Sequence, residues 1–212
     1  MDGLDLCASC AAALPWNRRA CALCAIPLPA AAADAACEPV CGACLRRPPP
    51  LDSARAAFVY RFPLDRLLPR LKFHQSLPAA RLLAVLCAGA LADAPRPQAV
   101  VPVPLHRARL RERGYDQALE LARPLARRHG IALRDDLLRR RRATSRQSRL
   151  DAAARRRNLR GAFEVVPGAA PPAHVALFDD VMTTGATLHA AATALRRAGV
   201  ARIDAWVCAR VP

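Results

Sequence analysis

The sequence predicts an α/β protein: a doubly wound parallel sheet with flanking helices, preceded by a small cysteine-rich module. Three observations predict it. Beyond residue 95, short apolar runs alternate with longer amphipathic stretches, the order expected of parallel strands joined by crossover helices. Seven of the nine cysteines crowd between Cys7 and Cys44. Pro48-Pro49-Pro50 follows them directly and reads as a stiff extended spacer. The expected division is therefore residues 1–50 for the cysteine module and 51–212 for the sheet domain.

Taken in order, Ala56–Phe62 has the pattern of a strand, with Phe58, Tyr60 and Phe62 on one face. Leu64–Leu71 is a short amphipathic segment, and Ala79–Ala92 is a buried helix that Pro95 and Pro97 close off. Ala99–Val103 suits a short buried parallel strand. A basic loop, His106–Arg113, then leads into a helix from Tyr115 to His129. Arg139–Arg160 is very basic and poor in apolar residues, which predicts a long mobile loop with a short helix near Ala152–Arg157. His174–Phe178 is a buried strand ending in Asp179-Asp180, and Gly185–Ala198 is a helix stopped by Gly199. Ala201–Cys208 supplies the last strand.

The net charge of +16 points to a polyanionic ligand, which includes a small phosphorylated molecule. Lys72 is the only lysine, so GC-rich coding accounts for part of that charge; arginine nevertheless suits phosphate, because its planar fork grips two oxygens. No apolar core of a secretion signal is present in the first twenty residues. The longest apolar run, Leu82–Ala92, is about half the length a membrane span needs. A cytoplasmic location is expected, and in that reducing setting the cysteines read as metal ligands.

The segment from Val175 to Leu188 places two carboxylates after an apolar strand, then a loop of hydroxyls with one glycine, then an alanine-rich helix. This order makes a phosphate cradle. A helix N-terminus offers unpaired N–H groups and positive dipole, Thr183, Thr184 and Thr187 add hydroxyl donors, and Gly185 admits close approach of the backbone. Asp179 and Asp180 make sense beside a phosphate if the two vicinal hydroxyls of a sugar lie between and donate to them. Helix capping alone needs neither two acids nor three threonines within nine residues, and a P-loop is excluded because no lysine follows the glycine.

This stretch resembles the signature of the type I phosphoribosyltransferases. The resemblance implies a type I phosphoribosyltransferase-like sheet and a site for the 5′-phosphate of 5-phosphoribosyl diphosphate (PRPP) at Thr183, Thr184, Gly185, Ala186 and Thr187. Asp179 and Asp180 would be the catalytic pair, holding the ribose hydroxyls directly or with Mg²⁺. Val101–Gln117 would bind the pyrophosphate, with Arg107, Arg109 and Arg113, and Arg142–Phe163 would close over it as a lid bearing Gln147, Arg155 and Asn158. Read from the residues alone, each arginine segment has a solvated basic surface as its alternative. Lys72-Phe73, Arg113–Gln117, and Thr144, Gln147, Arg155, Asn158, Leu159, Ala162 and Phe163 further resemble the ComF family of competence-associated proteins and its gluconate-linked relatives. Asp116 departs from the asparagine usual there, and an acid beside a pyrophosphate is mildly unfavourable.

Cys21, Cys24, Cys41 and Cys44 form C-x₂-C-x₁₆-C-x₂-C, within the range of a structural zinc ribbon. Cys7 and Cys10 remain as a second half-site, either borrowing Cys37 for an incomplete site or left by a missing upstream pair. Cys87 and Cys208 read as small buried apolar residues, and no histidine is assigned to catalysis. Three functions follow from the resemblance: a PRPP-dependent transferase acting on a nitrogenous acceptor, a protein handling single-stranded DNA during uptake, or a PRPP sensor acting on a partner such as a protein of the competence machinery.

Overall fold

A computed structural model describes residues 6–29, 38–74, 77–143 and 158–212. Two short helices, α1 (Ala8–Ala12) and α2 (Gly42–Arg46), precede the strand β1 (Ser53–Val59). Then come α3 (Leu64–His74), α4 (Leu77–Ala90), β2 (Ala99–Pro102), α5 (Arg107–Arg113), α6 (Gln117–His129), β3 (Ala132–Leu133) and β4 (Leu138–Arg140). The chain ends with β5 (Phe163–Val165), β6 (His174–Met182), α7 (Ala186–Arg197) and β7 (Arg202–Arg210).

Five strands form a wholly parallel sheet in the order β1-β7-β6-β2-β3, while β4 and β5 pair antiparallel as a separate ribbon. Both faces are covered, which is why the central strands are almost continuously apolar. Ala176 and Phe178 of β6, with Trp206 and Cys208 of β7, face a core shared with α3, α4 and α6. Val175 and Leu177, with Ile203, Ala205 and Val207, face the opposite core under α7 and the β4–β5 ribbon. This is the α/β architecture the alternating pattern predicts. Cys87 and Cys208 are fully buried in it.

The outer edge of β1 is occupied by the cysteine-rich segment. Val59 N donates to Pro15 O at 2.7 Å, Asn17 N to Ala57 O at 3.0 Å, and Ala54 N to Ala22 O at 2.6 Å. Trp16 stacks against Phe58 with ring centroids 4.6 Å apart. An exposed parallel edge is a template for unwanted pairing, and this segment removes it.

Several element boundaries differ from expectation. The first strand begins at Ser53 and ends at Val59, so Phe62 lies beyond it and is exposed. His106–Arg113 is not a loop: Arg107–Arg113 is helical, with His106 Nδ1 accepting from Ala108 N at 3.2 Å and Gly114 in the left-handed region at φ 83°. Leu138–Arg140 is a strand paired with Phe163–Val165, and its Arg139 and Arg140 fall in the stretch read as loop. Arginine is a good helix former, which suits α5, and in β4 the half-buried Arg140 lies over the Phe163 ring. Finally, β6 runs on through Asp179 and Asp180 to Met182, in constant register with β7. The expected helix near Ala152–Arg157, together with Cys37, Thr144, Gln147 and Arg155 and the side chains of Lys72 and Phe73, lies outside the described residues.

Candidate phosphate-binding site and cysteine cluster

The carboxyl ends of β6 and β2 meet at the centre of the sheet, the place where open α/β sheets bind ligands. β2 stops pairing with β6 at Phe178, so Asp179 and Asp180 extend past their neighbour. Each carboxylate turns back on the backbone. Asp180 N donates to Asp179 Oδ1 at 2.9 Å, and Val181 N donates to Asp180 Oδ1 at 2.8 Å. Asp180 is buried, whereas Asp179 is half-buried.

These carboxylates line a cavity of about 200 Å³ together with Arg109, Arg113, Asp116 and Gln117. Arg113 donates to Gln117 Oε1, so the α5–α6 corner presents one guanidinium already oriented by an amide. Gln117 is 3% exposed, and its Nε2 has no hydrogen-bond partner among the described residues, which leaves a buried donor at the cavity wall. Of the arginines expected around the site, Arg109 and Arg113 reach this cavity. Arg107 is exposed on the first turn of α5, and Asn158 is half-buried, its carbonyl accepting from Arg142 Nη2 at 3.2 Å.

Asp116 is the N-cap of α6. Its Oδ1 accepts from Leu119 N at 3.2 Å, and its Oδ2 accepts from Leu105 N at 2.9 Å, tying the segment after β2 to the helix. Burial pushes its carboxyl above the usual range, the amides of Leu105, Leu119 and Ala118 pull it down, and nearby Asp180 adds to the rise. The acid that looked unfavourable from the sequence therefore has a structural task. Arg140 was not anticipated at all. Burial lowers its guanidinium pKa, the neighbouring Arg109 pushes the same way and Asp179 opposes, which puts this β4 residue in the electrostatic field of the site. Its guanidinium sits 5.3 Å from the centre of the Phe163 ring.

Beyond Met182 the chain forms Thr183–Thr187. Thr183 is exposed, Thr184 and Thr187 are half-buried, and Thr184 Oγ1 accepts from Ala186 N at 3.4 Å. Gly185 caps α7 in the left-handed region at φ 75°, with no side-chain hydrogen bond at the cap. A Cβ there would lie 2.7 Å from Met182 Cε and 2.8 Å from His189 Nε2. The loop is thus held tight against the strand that precedes it. Along the outer face of α7 runs a wider hollow of about 490 Å³, lined by Arg47, Arg160, Phe163, His189, Ala190 and Arg197 among others. No acid stands among the described residues that line it.

The second candidate site is the cluster Cys21, Cys24, Cys41 and Cys44, whose sulfurs all lie within 4.8 Å of one another. Cys24 Sγ and Cys41 Sγ are 3.8 Å apart. The edge of a tetrahedron of thiolates around zinc, at a Zn–S distance of about 2.3 Å, is ~3.8 Å. Donor type, number and spacing therefore fit a closed four-thiolate metal site. Burial pushes the Cys44 and Cys24 thiols up. For Cys41 burial is outweighed by hydrogen bonds from the Cys44 backbone and the surrounding thiols, which bring it down to about 7. Cys7 and Cys10 are exposed and outside this cluster, and the Ser9 hydroxyl holds the Cys7 thiol at about 7. Among the described residues no helix is long and apolar enough to cross a membrane.

Comparison with known proteins adds three relatives. The chain is 39% identical over 178 residues to "Competence protein F" of Haemophilus influenzae, covering 80% of this chain and 78% of that protein. It is 35% identical over 214 residues to "DNA utilization protein YhgH" of Salmonella typhi, covering 97% and 90%. The Escherichia coli K12 protein of the same name is 33% identical over 214 residues, with the same coverage of 97% and 90%. No model of a known protein family matches the sequence. Among solved structures, the "allosteric regulatory enzyme of purine biosynthesis" aligns with a TM-score of 0.41 at 23% identity, over 60% of this chain and 25% of its own.

Proposed function

The chain belongs to the ComF family of competence-associated proteins, and from that membership we propose that it binds PRPP with Mg²⁺ at Asp179–Thr187. In this reading residues 1–50 form a zinc-binding module and residues 51–212 a phosphoribosyltransferase-like domain. One observation carries it. A glycine-capped helix start and a pair of aspartates stand at the carboxyl end of one strand, facing arginines from the neighbouring α5. The first-turn amides of α7 and the threonine hydroxyls receive the 5′-phosphate. Asp179 and Asp180 accept from the ribose hydroxyls, and Arg109 and Arg113 neutralise the pyrophosphate. Asp179 and Asp180 would help to hold Mg²⁺, which would supply positive charge to offset that of the pyrophosphate.

Transfer would form a bond from an acceptor nitrogen to C1 as the C1–O bond breaks. The departing pyrophosphate takes the electron pair, and the acceptor's proton passes to solvent. The chain's contribution is positioning and charge stabilisation.

Single-stranded DNA is a second ligand, favoured by the acid-free arginine hollow along α7 and by the relatives named for DNA utilization and competence. One pair of assays separates the two activities. PRPP-dependent pyrophosphate release with a panel of nucleobases should be lost in Asp179→Asn/Asp180→Asn. Binding of an oligothymidylate should survive those changes, weaken steeply with salt, and fall in Arg160→Ala/Arg197→Ala. Pyrophosphate release by the aspartate variant at the wild-type rate would remove Asp179 and Asp180 from the reaction.

A further inference from the structure

Arg210, the last residue of β7, is 8% exposed, although it carries a full charge. A buried guanidinium is costly unless its donors are satisfied. Among the described residues no carboxylate pairs with it; its acceptors are backbone carbonyls. Nε donates to Cys24 O at 2.8 Å, while Nη1 donates to Met182 O at 3.3 Å and to Val211 O. The first two acceptors matter most. Cys24 belongs to the four-cysteine cluster, 186 residues away in sequence. Met182 is the final residue of β6, directly before Thr183 of the phosphate loop.

Met182 also reaches the loop through its side chain, because its Cε occupies the space a Cβ on Gly185 would need. A planar fork is suited to this geometry: one rigid group spans two carbonyls that belong to different segments, which an ammonium on a flexible stem does poorly. A metal held by Cys24 Sγ would fix the Cys24 backbone, and the Cys24 carbonyl in turn fixes the guanidinium that supports Met182. The path from cysteine cluster to phosphate loop is thus one side chain long.

We propose that Arg210 is a positioning residue that couples the cysteine cluster to the phosphate loop, so that metal binding at Cys21, Cys24, Cys41 and Cys44 orders Thr183–Thr187. The proposal rests on the zinc and PRPP readings above and makes the ligand site responsive to the metal. By linkage, PRPP would strengthen zinc binding by the factor through which zinc strengthens PRPP binding.

The test uses the full chain, zinc-loaded or stripped with a chelator, as wild type, Arg210→Met and Arg210→Lys. Amide hydrogen exchange is followed at Thr183–Thr187 and, as a control for the fold, at Val175–Leu177. Stripping zinc from wild type should speed exchange in the loop about tenfold or more while the control strand keeps its protection. Arg210→Met should exchange fast in the loop with or without zinc while retaining its metal, and Arg210→Lys should resemble it. Equal quickening of loop and control strand on stripping would show general support of the fold and overturn the coupling. So would a loop indifferent to zinc in wild type, or one still responsive in Arg210→Met. Calorimetry with PRPP and Mg²⁺ on the same samples should show about tenfold weaker binding after stripping, within the usual range for coupled sites. Absence of PRPP binding in zinc-loaded wild type would refute the ligand reading alone, because the exchange result does not depend on ligand.

Discussion

Gly185 concentrates several demands on one backbone. It caps α7 at φ 75°, where a side chain is strained, and a Cβ would collide with Met182 and His189. Gly185→Ala should therefore lower stability by about 1–2 kcal/mol, or ~2–8 °C in Tm, and weaken anion binding at the loop. Thermal melting, together with titration of inorganic phosphate, would check both; an unchanged melting point would mean the loop relaxes without cost. Asp179, Asp180 and the threonines could be singled out because they stand in contiguous residues. Asp116, Arg140 and Arg210 were not. Asp116 gains its second contact from Leu105 on the segment after β2, and Arg210 one of its acceptors from Cys24, 186 residues away. Gln117 stood out only as part of a resemblance, and its buried amide becomes meaningful once Arg113 is seen bound to it.

At the level of elements, the parallel strands and the long helices follow from apolar runs and periodicity, and the boundaries follow from polar side chains that the pattern treats as breaks. Asp179 and Asp180 look like the end of a strand, yet β7 continues alongside to Arg210 and keeps β6 extended to Met182. The α5–α6 corner depends on Asp116 in a similar way. Removing this cap in Asp116→Ala should cost about 1 kcal/mol, the usual value of an N-cap. Its pH dependence is also defined. The folded state holds the Asp116 carboxyl above its ordinary value, so it binds the proton more readily than the unfolded chain. Its contribution is greatest below the ordinary carboxylate range and is lost as pH rises through the folded value. Urea unfolding of wild type against Asp116→Asn, at about pH 4.5 and 7.5, should show wild type relatively better at the lower pH. The opposite trend would mean that the amides around Asp116 outweigh its burial.

On the scale of the whole molecule, the sheet, the cysteine cluster and the positive charge form one arrangement. The N-terminal segment covers the β1 edge, brings four sulfurs within 4.8 Å of one another, and contacts β7 at Arg210, which also donates to Met182 O. A charge of +16 suits both a diphosphate ligand and a nucleic-acid strand, and some of the arginines line the cavity at Asp179 (Arg109, Arg113) and others the hollow along α7 (Arg47, Arg160, Arg197). Composition foretold that charge but not its division, which depends on which strand ends and helix faces the fold brings together. Calorimetry of PRPP and Mg²⁺ with wild type and with Thr183→Ala/Thr184→Ala decides most directly whether this molecule is built around a phosphoribosyl group. Saturable binding by wild type, weakened about tenfold or more in the double variant through loss of two hydroxyl donors to an anion, is the expected result. A folded wild-type protein that takes up no PRPP, or a double variant that binds it equally well, would contradict it.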